Sequence, residues 1–141
     1  KKRAHINMYA QDLRLAGYEA VIKSAGISGT AEADREKLIE PLKAEPENVA
    51  VICSNDFYAL DLQILFRDHY PELYRKVTIM GFDGLDVIKF SNPQIATVAF
   101  SRKEWALKAF GQIYRRLSVN DKVQDEIIPH QILENFTRDF K

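Results

Sequence analysis

Two short polar clusters carry most of the chemistry that this sequence can do. Ser54-Asn55-Asp56 directly follows the apolar run at 49–53, Val-Ala-Val-Ile-Cys. Phe82-Asp83-Gly84 closes the apolar run that begins at Val77. An Asn side chain both donates and accepts hydrogen bonds, and an ionised Asp accepts through two oxygens. Such groups suit a neutral polyhydroxylated ligand, with Phe82 offering an apolar surface beside them. The competing reading is local: Asn55 or Asp56 caps the following helix, and Asp83 caps a short turn through 84–89. Enzyme signatures are weak. Cys53 lies inside an apolar run and reads as core. His5, His69 and His130 lack metal-ligand spacing, and no phosphate-loop, dinucleotide or nucleophile-elbow glycine pattern occurs.

The elements that must position these clusters alternate between helix and strand. Residues 8–25 place Tyr9, Leu13, Ala16 and Ala20 on one helical face, with Gly26 as C-cap. A second helix over 31–44 is anchored by Leu38, Ile39 and Leu42, and Pro41 is expected to end or kink it. The continuous run at 49–53 predicts a buried strand of a parallel sheet. A helix over about 56–69 follows, apolar on two sides: Phe57, Leu60 and Ile64 on one, and Tyr58, Leu62 and Leu65 on the other. One side serves the core. The other, assigned to Tyr58, Leu62 and Leu65, is expected to meet a partner subunit. Residues 77–82 form the next strand and close a βαβ unit. A strand at 95–99, a helix opened by the Ser101/Glu104 capping-box spacing and a last strand at 127–136 complete the pattern. Ala106, Phe110, Ile113 and Leu117 share one face of that helix, Arg115-Arg116 fall on its wet side, and Trp105 reads as packing. The fold class is α/β with a mainly parallel, Rossmann-like sheet. In such sheets ligands bind beyond the carboxyl ends of the strands, where both polar clusters lie.

Composition narrows the classes further. The 141 residues balance 20 Lys and Arg against 20 Asp and Glu, so the bulk charge does not suit nucleic acid or an anionic membrane. Hydrophobic residues make up 46%, as in a folded domain. No apolar run approaches the ~20 residues that a membrane span needs. A single cysteine gives no internal disulfide. The chain opens at Lys1 without Met, and is expected to be a piece of a longer protein.

Four segments, in order, resemble the C-terminal half of the effector-binding domain of the lactose/galactose (LacI/GalR) repressor family. They are Leu13-Arg14-Leu15-Ala16-Gly17-Tyr18, Val51-Ile52-Cys53-Ser54-Asn55-Asp56-Phe57-Tyr58-Ala59-Leu60, Val77-Thr78-Ile79-Met80-Gly81-Phe82-Asp83 and Pro93-Gln94-Ile95-Ala96-Thr97-Val98. The resemblance implies a periplasmic-binding-protein-like sensor of two α/β lobes with the effector between them, the second lobe being incomplete here. Residues 1–98 and 125–141 would form the C-terminal lobe, and 99–124 would cross to the N-terminal one. Arg14, Asn55 and Asp83 match positions that face the effector in this family, and Phe82 joins them as the apolar surface. The implied function is a non-enzymatic, cytoplasmic sensor for a sugar or sugar derivative, without a cofactor. It would control operator DNA as a homodimeric repressor, through a DNA-binding domain outside this chain. The alternative is a periplasmic sugar receptor of a transporter. The sequence departs from the family pattern between Gly26 and residue 31, where only Ile27 to Thr30 stand in place of a strand and loop. Asp61 and Asn135 also replace a Gly and an Arg of the pattern.

Overall fold

The computed structural model describes residues 3–7, 12–32, 34–46, 49–119, 122 and 124–134. The elements are β1 (Arg3–Asn7), α1 (Asp12–Ser24), β2 (Ser28–Ala31), α2 (Ile39–Ala44), β3 (Val49–Cys53), α3 (Asp56–His69), α4 (Pro71–Lys76), β4 (Val77–Asp83), β5 (Ala96–Phe100), α5 (Arg102–Val119) and β6 (His130–Leu133). One six-stranded sheet runs in the order β2-β1-β3-β4-β5-β6. Every neighbouring pair is parallel except β5 and β6, which are antiparallel. The α/β class with a mainly parallel sheet is therefore the observed one.

Strand alternation sorts the core into two sides. Val49, Val51 and Cys53 of β3 pack with Leu62 and Phe66 of α3, Leu73 of α4, Leu38, Ile39 and Leu42 around α2, and Val77 and Ile79 of β4. Ile52, between them in the strand, packs instead with Tyr18, Leu15 and Ile22 of α1. Helices thus cover both faces of β3, which is why its run is continuously apolar.

Several sequence expectations change. The buried face of α1 is Leu15, Tyr18 and Ile22, while Ala16 and Ala20 are exposed; Tyr9 lies outside the described residues. Gly26 does end α1 in a left-handed conformation, at φ 62°. The strand expected to be missing after it is present as β2, and β1 carries no sequence expectation at all. The helix expected over 31–44 is shorter, a 3-10 turn at Glu36–Leu38 leading into α2, and Pro41 in the first turn of α2 does not end it. The last strand is shorter than expected, and residues 135–136 lie outside the described residues. Trp105 is 55% exposed and takes no part in the core clusters of the described residues.

The expected partner face of α3 is also corrected. Leu62 is fully buried in the core and Leu65 half-buried against it. Leu62 therefore presents no surface to a partner. The residues turned outward are Phe57, Tyr58 and Ile64, because the helix inserts Ala59, Leu62 and Phe66 at spacings of three and four.

Candidate functional site

The site is built where β3 and β4 end. Asn55 is the N-cap of α3: its Oδ1 accepts from the Tyr58 backbone N–H at 3.0 Å. Asp56, the first residue of the helix, is fully buried. The cap is therefore Asn55, and the Asp56 carboxylate is released for another task. Its Oδ1 accepts from the Thr97 hydroxyl at 2.6 Å, and its Oδ2 from the Leu85 backbone N–H at 2.6 Å. The helix N-terminus favours the negative charge placed there. Gly81 leaves room for this carboxylate, since a Cβ at 81 would collide with Asp56 Oδ1.

The chain leaves β4 through a sharp turn. Asp83 has φ 105° and Gly84 φ 65°. A non-glycine residue in that region costs on the order of 1–3 kcal/mol, and persists only where its surroundings fix it. They do so from several directions. Leu85 N–H donates to Asp56, and Gly84 N–H donates to Thr97 Oγ1 at 3.2 Å. From α5, Arg102 Nη1 donates to the carbonyls of Gly84 at 2.9 Å and Asp83 at 3.3 Å. Gly84 also lies so close to Ala99 that a Cβ would overlap it. Asp83 is not a cap. The 3-10 turn at 86–90 starts from Leu85 and has no side-chain cap.

Arg14 brings α1 to the same edge. Its Nη1 donates to the Ser54 carbonyl, its Nη2 lies 3.7 Å from Asp83 Oδ1, and its Cζ stands 3.7 Å from the Phe82 ring centroid. Arg14, Phe82 and Asp83 are thus brought together as one cluster, in which a guanidinium plane stacks on an aromatic face beside a carboxylate. Asn55 directly follows Ser54, whose carbonyl accepts from Arg14, and its own side-chain oxygen is occupied by the cap. The Arg14 and Asp83 side chains are 28% and 32% exposed, so the pair is wet enough to exchange partners with a ligand. Burial raises the Asp83 carboxyl above its ordinary value, Arg14 opposes that rise, Asp56 adds to it and Arg102 opposes it. The cluster pairs one cation with one anion, which suits hydroxyl groups better than a charged ligand. Cys53, just inside it, has its thiol pushed up to about 12 by burial and by the Asp56 charge, so it is not a nucleophile. Among the described residues no group of His, Cys, Asp and Glu could hold a metal ion.

The sequence reading missed three supports of this site. Arg102 carried no signal, being one charge among many. Asp56 and Thr97 stood inside quoted motifs, but their pairing across 41 positions is invisible to local pattern.

Comparison with known proteins decides what this arrangement is similar to. The transcriptional regulator MalR of Clostridium butyricum, of the helix-turn-helix type, is 28% identical over 116 residues, covering 82% of this chain and 34% of the regulator. A sugar-binding LacI-family regulator of Enterococcus faecalis superposes with a TM-score of 0.77 at 22% identity, covering 95% of this chain and 55% of that one. The chain is similar to these regulators and has the fold seen in LacI-family regulators. A further LacI-family regulator, from Arthrobacter sp. FB24 and solved with lactose, gives a TM-score of 0.77 at 18% identity, over 94% of this chain and 55% of that one. The chain thus spans about a third of the curated relative's length and about half of the solved ones'. No family model matches it.

Proposed function

We propose that this chain is the C-terminal lobe of the sugar-sensing domain of a transcriptional repressor, with Arg14, Phe82 and Asp83 as its effector contacts and Asn55 at their margin. The observation that carries the reading is the convergence of Arg14 on both Phe82 and Asp83 at the carboxyl ends of adjacent parallel strands. The relatives supply the class: MalR is named as a regulator, and the Arthrobacter regulator was solved with lactose. The chain through the end of β5 at Phe100, together with β6, belongs to this lobe, and the stretch between them carries the crossing to the other. A DNA-binding domain outside the chain contacts the operator. Effector binding shifts the repressor between DNA-binding and non-binding states. The protein is cytoplasmic and non-enzymatic, and works as a homodimer to which Phe57, Tyr58 and Ile64 of α3 offer an exposed apolar face. Among the described residues no helix is long and apolar enough to cross a membrane.

Calorimetric titration of the full gene product with lactose, maltose, ribose, galactose and their phosphate esters tests this reading. Saturable binding of an unphosphorylated sugar is expected. Asp83→Ala should weaken it at least 100-fold while the far-UV spectrum stays unchanged. Binding only of phosphate esters, or equal affinity in Asp83→Ala, would overturn the site assignment.

A further inference from the structure

The backbone N–H groups of Gly84 and Leu85 in the Asp83–Leu85 turn are held by groups that never reach the cluster's surface. Asp56 and Thr97 are both fully buried, and they come from two elements that the chain separates widely: the start of α3 and the start of β5. They form one bonded unit, Thr97 Oγ1 to Asp56 Oδ1 at 2.6 Å. That unit takes both backbone donors of the turn, Gly84 N–H on Thr97 and Leu85 N–H on Asp56. Two positions admit this only as glycine: Gly81 beneath Asp56, and Gly84 against Ala99. A buried carboxylate with a hydroxyl and an amide on separate oxygens is directional in a way that an apolar contact is not.

We propose that Asp56, acting with Thr97, is a positioning residue of the effector site: it holds Asp83 and Gly84 in their left-handed conformation and so sets the Asp83 carboxylate against Arg14. The inference rests on the effector-site reading above for its functional meaning, but not for its structural content. Asp56 also begins the helix that Asn55 caps, so the same side chain ties α3 to the loop that carries Asp83. An amide at 56 keeps the volume but offers only one acceptor oxygen, so one of the two donors loses its partner. A valine at 97 keeps the shape and removes the hydroxyl, whereas a serine keeps the hydroxyl.

Hydrogen exchange followed by mass spectrometry on the full gene product, without ligand, tests the structural part. Asp56→Asn and Thr97→Val should speed exchange in a peptide spanning 81–90 at least tenfold, with a peptide spanning 59–66 of the α3 core unchanged. Thr97→Ser should match the natural chain in both. Unchanged exchange at 81–90, equal acceleration in both peptides, or Thr97→Ser behaving like Thr97→Val would each overturn the proposal. Lactose and the other sugars of the panel supply the functional arm, below the melting point of every variant. A sugar that binds the natural protein should bind Asp56→Asn at least tenfold more weakly, and unchanged affinity would overturn the positioning role. If no sugar binds, the sugar-sensing reading fails while the exchange result still decides whether Asp56 sets the turn.

Discussion

The unit β3-α3-β4 and the unit α5-β6 both carry large apolar side chains, and those side chains end in opposite conditions. In the first, Leu62, Phe66 and Ala59 of α3 vanish into a core shared with β3, β4, α2 and α4. In the second, α5 has no buried residue over 18 positions, and Trp105, Phe110, Ile113 and Leu117 stand between 55% and 81% exposed. What holds α5 is polar: Lys108 and Arg115 pair with Glu126, and Gln112 Nε2 donates to Glu126 and to the Gln124 carbonyl. An apolar stripe is a demand for a covering layer, and amphipathic pattern alone does not say whether the same chain supplies it.

The largest test of that contrast is a pair of truncations. Phe66→Ala should cost about 3–5 kcal/mol by leaving a cavity in the core, whereas Leu117→Ala should stay within about 0.5 kcal/mol. Urea unfolding of both variants of the isolated chain measures the difference, and a comparable loss in each would mean that α5 is packed in solution. A smaller effect separates the two duties weighed for Asn55. Asn55→Ala should lose about 1 kcal/mol of stability with the cap. Asn55→Asp keeps the acceptor for Tyr58 N–H and loses only the amide donor, so it should preserve the melting point and weaken sugar binding.

The smallest effect is one of pH. The folded chain raises the Asp83 carboxyl, so its neutral form is the one that folding favours. Its contribution to stability is full below the ordinary carboxylate value of about 4 and is lost as pH rises through the higher folded value. The natural chain's stability relative to Asp83→Asn should therefore fall as pH rises above about 4, by well under 1 kcal/mol given the partial exposure of the group. Chemical unfolding across that interval checks it, and a difference that grows with pH would mean that Arg14 outweighs burial.

These contrasts also show what the sequence could disclose. Val49–Cys53 and the α3 span were legible because a run buried on both faces and a 3.6-residue period are local signals. Arg14, Phe82 and Asp83 were legible through sheet topology and family resemblance, and the structure brings them together. The direction of faces was less legible. On α3, Leu62 reads as well toward a partner as toward the core until the position of β4 is known. On α1 the choice between Ala16-Ala20 and Leu15-Tyr18-Ile22 depends on where Ile52 stands. The Asp56–Thr97 bracket was illegible for the same reason, since only the parallel pairing of β4 with β5 brings Thr97 near the start of α3.

The place of β1 in the sheet has a mechanical consequence. The first strand of the chain is an inner one, and β2 has no other partner in the sheet. A proteolytic cut or an in-frame deletion that removed Arg3–Asn7 would thus take out one strand and leave β2 without its sheet partner. It would also loosen α1, which leads into β2 through Gly26, and with it the helix that delivers Arg14 to Phe82 and Asp83. The keystone of the Arg14 half of the pocket is a five-residue inner strand.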